Sequence, residues 1–328
     1  MLHRTISTPS LLATAGVLVA AACSSAQPEC HVGADCASGA CDSSGRCVPV
    51  SSSGGDAGGR DAGAGVNGDA GGDADGASTD SGGGDGAGGC VPNGDGTITR
   101  AEVPMMAGLH ASFVVAENVT MNTAGTTQPD GTRVWDFSGA LSGDHTIVVT
   151  TDAPTGQWFS AQFPAATYTT KLSDTQPLLG IFQATSSALL LQGVVSPTSG
   201  SQQTELSYAP AATSLAVPLQ LGSSWTSSSM VSGTAEGVAV VPYTEIYDSK
   251  VDARGTLKVP YATFPVLRVA TTLTRQYGAA CTPGANCTVV RSLVFLAECF
   301  GPVATLTSQN NETSAEFTNV AEARRLAP

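Results

Sequence analysis

Gly255-Thr256-Leu257-Lys258-Val259-Pro260, then Phe264-Pro265-Val266-Leu267-Arg268-Val269, then Phe295-Leu296-Ala297-Glu298-Cys299-Phe300-Gly301-Pro302-Val303 set the reading of this chain. Apolar and β-branched residues dominate all three runs, and proline or glycine bounds them, the signature of short strands joined by tight turns. In the second run Leu267 points with Pro265 and Val269, while Arg268 points the other way with Val266. In the third, Glu298 shares a face with Val294, Leu296 and Phe300. One charge on each of two apolar strands predicts that Arg268 and Glu298 pair across the sheet; the alternative is that this face is simply wet.

Outward from these runs the period stays at two. Residues 112–120, 133–137, 146–151, 157–163, 178–183, 188–195, 204–208, 223–229, 238–247, 255–259, 266–274, 288–298 and 303–308 read as strands. Turn-formers separate them, among them Pro129-Asp130-Gly131, Ser142-Gly143-Asp144 and Pro283-Gly284. Helical period survives only at 100–109 and 320–326. The expected fold is all-β over 108–328, an antiparallel sandwich or a strongly curved half-barrel sheet. With Pro218 and Gly222-Ser223-Ser224-Trp225 upstream, residues 215–310 resemble a β module of exported bacterial proteins, part of a group related to curved-sheet lipoprotein carriers. That resemblance implies a curved sheet and brings no catalytic motif.

The start of the chain gives an address. His3 and Arg4 precede an apolar run, and Val19-Ala20-Ala21-Ala22 precede Cys23, the layout of a secretory signal over 1–22. The stretch resembles the bacterial lipobox, which implies lipidation of Cys23 and an anchor in the membrane; Ser24 after it leans toward the outer membrane, periplasm-facing or at the cell surface. Ala20 stands where the motif usually has Leu, and cleavage without lipidation is the alternative. Residues 51–89 hold seven Asp against Arg60 and only Val66 as an apolar residue beyond alanine. Such a segment cannot offset the entropy of ordering and reads as a disordered linker. The whole chain carries a net charge of −13 and no basic patch, which argues against a nucleic-acid partner.

Of nine cysteines, eight remain after Cys23, an even set that reads as disulfides in an exported chain. Cys30, Cys36, Cys41 and Cys47 lie in an eighteen-residue stretch, CHVGADCASGACDSSGRC, with almost nothing apolar to bury, so staples must hold it. Four cysteines allow three pairings, and Cys30 with Cys41 and Cys36 with Cys47 is preferred. The stretch resembles small cysteine-rich modules of myxobacterial surface lipoproteins and, more distantly, of Dickkopf-type secreted proteins. Cys281 and Cys287 flank a Pro-Gly turn and can close it locally, which leaves Cys90 for Cys299.

Cys90 opens Val91-Pro92-Asn93-Gly94-Asp95-Gly96-Thr97-Ile98-Thr99-Arg100-Ala101-Glu102, which resembles an EF-hand or dockerin calcium loop. The resemblance places Asn93, Asp95, Thr99 and Glu102, with the Thr97 carbonyl, on ligand positions. Val91 stands where the first ligand belongs, and an Asn-Gly-Asp-Gly turn is the alternative. No other cofactor is implied. Ser142, Asp144 and His145 tempt a triad, but neighbours in an extended segment face opposite ways. No G-x-S-x-G, H-E-x-x-H or phosphate loop occurs. Trp135, Trp158 and Trp225 with Phe137, Phe159 and Phe163 read as core rather than as a sugar-stacking platform. The expectation is a non-enzymatic envelope lipoprotein displaying a β domain to an envelope or extracellular ligand. The alternatives are a carrier of an apolar ligand such as a lipid, and a secreted hydrolase.

Overall fold

The computed structural model describes residues 90–278 and 281–328. The expected signal peptide, Cys23, the module with Cys30, Cys36, Cys41 and Cys47, and the 51–89 linker lie outside the described residues. The chain opens with β1 (Thr97–Ile98), a 3-10 turn (Arg100–Glu102), β2 (His110–Thr120), β3 (Thr126–Thr127), β4 (Arg133–Asp136), β5 (His145–Asp152) and β6 (Tyr168–Lys171). It continues with β7 (Leu179–Ala184), β8 (Ala188–Val195), β9 (Glu205–Ala216), β10 (Leu219–Gln220), β11 (Ser224–Ala235) and β12 (Val238–Ala239). The long strands close it: β13 (Tyr243–Lys258), β14 (Thr263–Gln276), β15 (Cys287–Ala297), β16 (Gly301–Ser308) and β17 (Asn319–Leu326).

The fold is all-β, and the curved sheet closes on itself. Because β11 pairs with both β9 and β13, twelve strands form an antiparallel barrel, in the order β2, β5, β6, β7, β8, β9, β11, β13, β14, β15, β16, β17 and back to β2. Closure removes the open edges of the main sheet, a liability that a half-barrel would carry. Alternation along β11 shows which way the wall faces: Ser224, Thr226, Ser228 and Met230 are exposed, while Ser229 and Val231 are buried inside. The inward rows toward one end are fully packed, with Phe113, Leu296 and Val303 within 1% of complete burial.

A strap, residues 121–144, crosses the outside of the barrel from β2 to β5. On its way β4 pairs in parallel with the lower half of β13, from Gly255 to Lys258. A Cβ on Gly255 would stand 1.8 Å from the Arg133 carbonyl oxygen, so the glycine of the Gly-Thr-Leu run is what lets β4 dock. The strap buries Trp135 and Phe137 edge-on against Phe295, at 5.0 and 5.4 Å between ring centres. Arg268 and Arg325 point outward into this layer and tie it to the wall.

The lead-in segment, residues 90–109, plugs the solid end. Ile98, Val103 and Met105 join the main core, β1 pairs with β10, and the Cys299 amide donates to the Glu102 carbonyl at 2.8 Å. Arg100 reaches the Thr185 carbonyl at 3.1 Å, and the Cys90–Cys299 disulfide clasps the segment to the β15–β16 turn. All of these partners lie at one end of an up-and-down barrel, so the chain enters the barrel there. The loops 172–178, 196–204, 236–242 and 309–318, with residues 277–278 and 281–286, lie at the opposite end.

Five expected elements change. Residues 157–163 form turns, not a strand; Phe159 and Phe163 pack on Ile181 and Val195 outside the barrel. The helical reading of 100–109 shrinks to the single 3-10 turn, and 320–326 is strand β17, whose two arginines at Arg324 and Arg325 serve opposite faces of the wall. Residues 238–247 and 255–259 are not two separate strands either: β13 runs unbroken from Tyr243 to Lys258, and 238–239 form the short β12.

Candidate functional site

The barrel interior changes character along its length. Register carries one inward row through Trp225, Ser249, Thr271, Ser292, Thr307, Glu322 and Glu117, across seven strands. Apart from the tryptophan, every member has a hydroxyl or a carboxylate. Ser249 and Thr271 hydroxyls lie 2.9 Å apart, and Thr271 and Ser292 stay half-buried although they face inward. The row nearer the plug runs Val251, Val269, Val294, Thr305, Arg324, Val115 and His145, apolar on one side and charged on the other. The interior is therefore packed and apolar toward the plug, and polar and partly open toward the far mouth.

Two charge networks line that mouth. On β13 and β14, Glu245 is fully buried; Arg275 Nε and Nη2 donate to its Oε1 at 2.9 and 2.7 Å, and the Tyr247 hydroxyl donates to its Oε2 at 2.5 Å. Burial, and then the Glu245 charge, push the Tyr247 and Tyr208 phenols well above their ordinary range, so both stay protonated donors. Burial opposes the Arg275 charge, yet the Glu245 carboxylate outweighs it and the pKa rises. The guanidinium also lies over the Tyr243 ring at 5.4 Å, and Tyr243 meets the exposed Tyr277 at 5.2 Å.

Across the mouth, the 172–178 loop turns inward from β6. Arg324 Nη2 donates to the Leu172 carbonyl at 2.9 Å, and its Nε to Glu322 Oε1 at 2.6 Å. Glu322 Oε2 accepts from the Ser173 hydroxyl at 3.3 Å and the Asp174 amide at 3.4 Å. Asp174 in turn meets His145 Nε2 at 2.6 Å and Lys171 Nζ at 3.0 Å. His145 thus has a carboxylate partner that its own neighbourhood in the sequence does not show. Asp144 goes to Arg325 instead, so Ser142, Asp144 and His145 do not converge.

The predicted Arg268–Glu298 pair does not form. Arg268 donates through Nε and Nη2 to Asp252, through Nη1 and Nη2 to Glu316, and through Nη1 to the Thr123 carbonyl. Asp252 is the extra residue of a bulge in β13 and Glu316 lies in the 309–318 loop, so strand parity alone could not point to either. Glu298 serves the lead-in segment: its Oε2 accepts the amides of Asn93 and Gly94 at 2.8 and 2.9 Å.

The expected calcium ligands are held in an Asx-turn and capping network. Asn93 Oδ1 accepts from the Asp95 amide at 2.9 Å, and Asp95 Oδ1 from the Thr97 amide at 2.7 Å. Glu102 accepts from Asn93 Nδ2, the Thr99 amide and the Thr99 hydroxyl, each at 2.8 Å. Their oxygens point at N–H and O–H donors rather than at a common centre. Among the described residues no group of three or more His, Cys, Asp or Glu is placed to hold a metal ion. Both late disulfides, Cys90–Cys299 and Cys281–Cys287, are present. Trp135 and Phe137 are core of the outer layer, Phe159 and Phe163 pack with Trp158 outside the barrel, and Trp225 lies against the main core. Comparison with protein-family models, with curated proteins and with solved structures finds no match.

Proposed function

We propose that this chain is a non-enzymatic envelope lipoprotein, anchored through Cys23, that holds its barrel by the plugged end and offers the polar mouth to an envelope or extracellular ligand. The observation that carries the reading is the Cys90–Cys299 clasp, with a sequence separation of 209, which fixes where the chain enters and leaves the mouth facing away from it. The 51–89 linker, rich in glycine and Asp, then serves as the tether between anchor and barrel. The mouth's hydroxyls and paired charges suit a polar ligand. The packed apolar half of the interior leaves no surface for a lipid tail and weighs against the carrier reading.

Labelled palmitate tests the anchor. Incorporation is expected in the full chain and is expected to vanish in Cys23→Ser, with the protein released from the membrane fraction; label surviving in Cys23→Ser overturns the assignment. Polysaccharide and ester substrates are expected to show no turnover, and turnover replaces this reading by that of a secreted hydrolase.

A further inference from the structure

The 172–178 loop folds into the barrel mouth. Its root is buried, with Leu172 and Ser173 at 4% and 3% exposure, and the Leu172 amide donates to the Leu178 carbonyl at 3.0 Å to close the base. Its crest, Thr175 and Pro177, is exposed. Between root and crest sits Asp174, bound to His145 on the neighbouring strand β5.

Both partners of the His145 ring are acceptors. Nδ1 lies 3.1 Å from the Gly143 carbonyl and Nε2 lies 2.6 Å from the Asp174 carboxylate, so both hydrogen bonds exist together only when both nitrogens carry protons. We propose that the 172–178 loop is a proton-controlled lid on the barrel mouth, latched by the imidazolium of His145 to Asp174 and loosened when the ring loses its positive charge. This rests on reading the mouth as the binding end.

Carboxylates favour the latch, and the nearby cations compete for them. Asp174 on the loop and Glu117 on β2 both favour the imidazolium. Lys171 on β6 holds the second Asp174 oxygen, and Glu322 on β17, itself paired to Arg324, grips Ser173 and the Asp174 amide. Asp144 in the adjoining turn is tied to Arg325. The Asp174 hydrogen bond, followed by that to Gly143, raises the His145 pKa above its usual value. A raised folded-state pKa means that the latch is fully present below the free-imidazole value and is lost as pH rises through the raised one.

Hydrogen exchange on the full chain, followed from about pH 5 to about pH 9, reads the lid directly. The 172–178 peptide is compared with β15 as an internal reference for base-catalysed exchange. The opening equilibrium of the lid is expected to grow about tenfold for each pH unit between the free and the latched His145 values, while β15 follows the intrinsic rate. His145→Gln, at a side chain 45% exposed, and independently Asp174→Asn, are expected to raise the opening equilibrium of the lid and to remove its pH step. A lid that tracks β15 in the wild type, or a pH step that survives in His145→Gln, overturns the proposal. No ligand enters this measurement, so its failure leaves the binding-end reading standing, and loss of that reading leaves the exchange result intact.

Discussion

Replacing Arg268 by Leu tests the account of the outer layer most sharply. Its side chain is 1% exposed, donates five hydrogen bonds to two carboxylates and a carbonyl, and lies over the Trp135 ring at 5.6 Å. Removing one partner of a fully buried ion pair costs about 3 to 5 kcal/mol, because the other charge is left unpaired. Here Asp252 and Glu316 are 28% and 32% exposed and regain water, which places the loss at the lower end. The ring contact adds about 0.5 to 1 kcal/mol, and Leu regains part of the apolar packing. A destabilisation of about 3 kcal/mol is expected, a fall in Tm of about 6 to 12 °C for a domain of this size. Urea unfolding followed by tryptophan fluorescence measures it. A double-mutant cycle with Glu316→Gln should show coupling of about 1 kcal/mol or more, and one with Glu298→Gln should show none beyond about 0.5 kcal/mol. A Tm unchanged in Arg268→Leu, or coupling to Glu298 in place of Glu316, refutes the reasoning.

Two further outcomes follow from the same structure. Cys90→Ser with Cys299→Ser opens a cross-link of sequence separation 209, expected to lower unfolding free energy by about 4 to 5 kcal/mol in the chain-entropy model and to raise exchange at residues 90–105, read by denaturant titration and amide exchange. Glu245→Leu leaves Arg275 without its carboxylate in the barrel interior and is expected to cost about 3 kcal/mol or more, whereas Tyr247→Phe removes one hydrogen bond and should cost about 1 to 2 kcal/mol; thermal melts of the two variants give the order.

Strand content was legible because successive residues of a strand leave from opposite faces, which writes a period of two into 112–120, 146–151, 188–195 and 266–274. Residues 157–163 carried the same period and misled, since Phe159 and Phe163 alternate while packing from a run of turns onto the outside of the wall. The two late disulfides were legible from cysteine parity and a Pro-Gly turn. The sequence by itself therefore determined the all-β class and the two late staples, because those depend on local composition, period and cysteine parity. Tertiary structure alone decided closure of the barrel, since pairing of β11 with β13 depends on twist summed over every strand between them. It also decided every charge partner: Arg268 takes Asp252 and Glu316, Glu298 takes the Asn93 and Gly94 amides, and His145 takes Asp174. Parity in a strand says which face a side chain leaves from, but its partner is set by bulges and by loops that fold back over the wall, and a period-two pattern has no record of them.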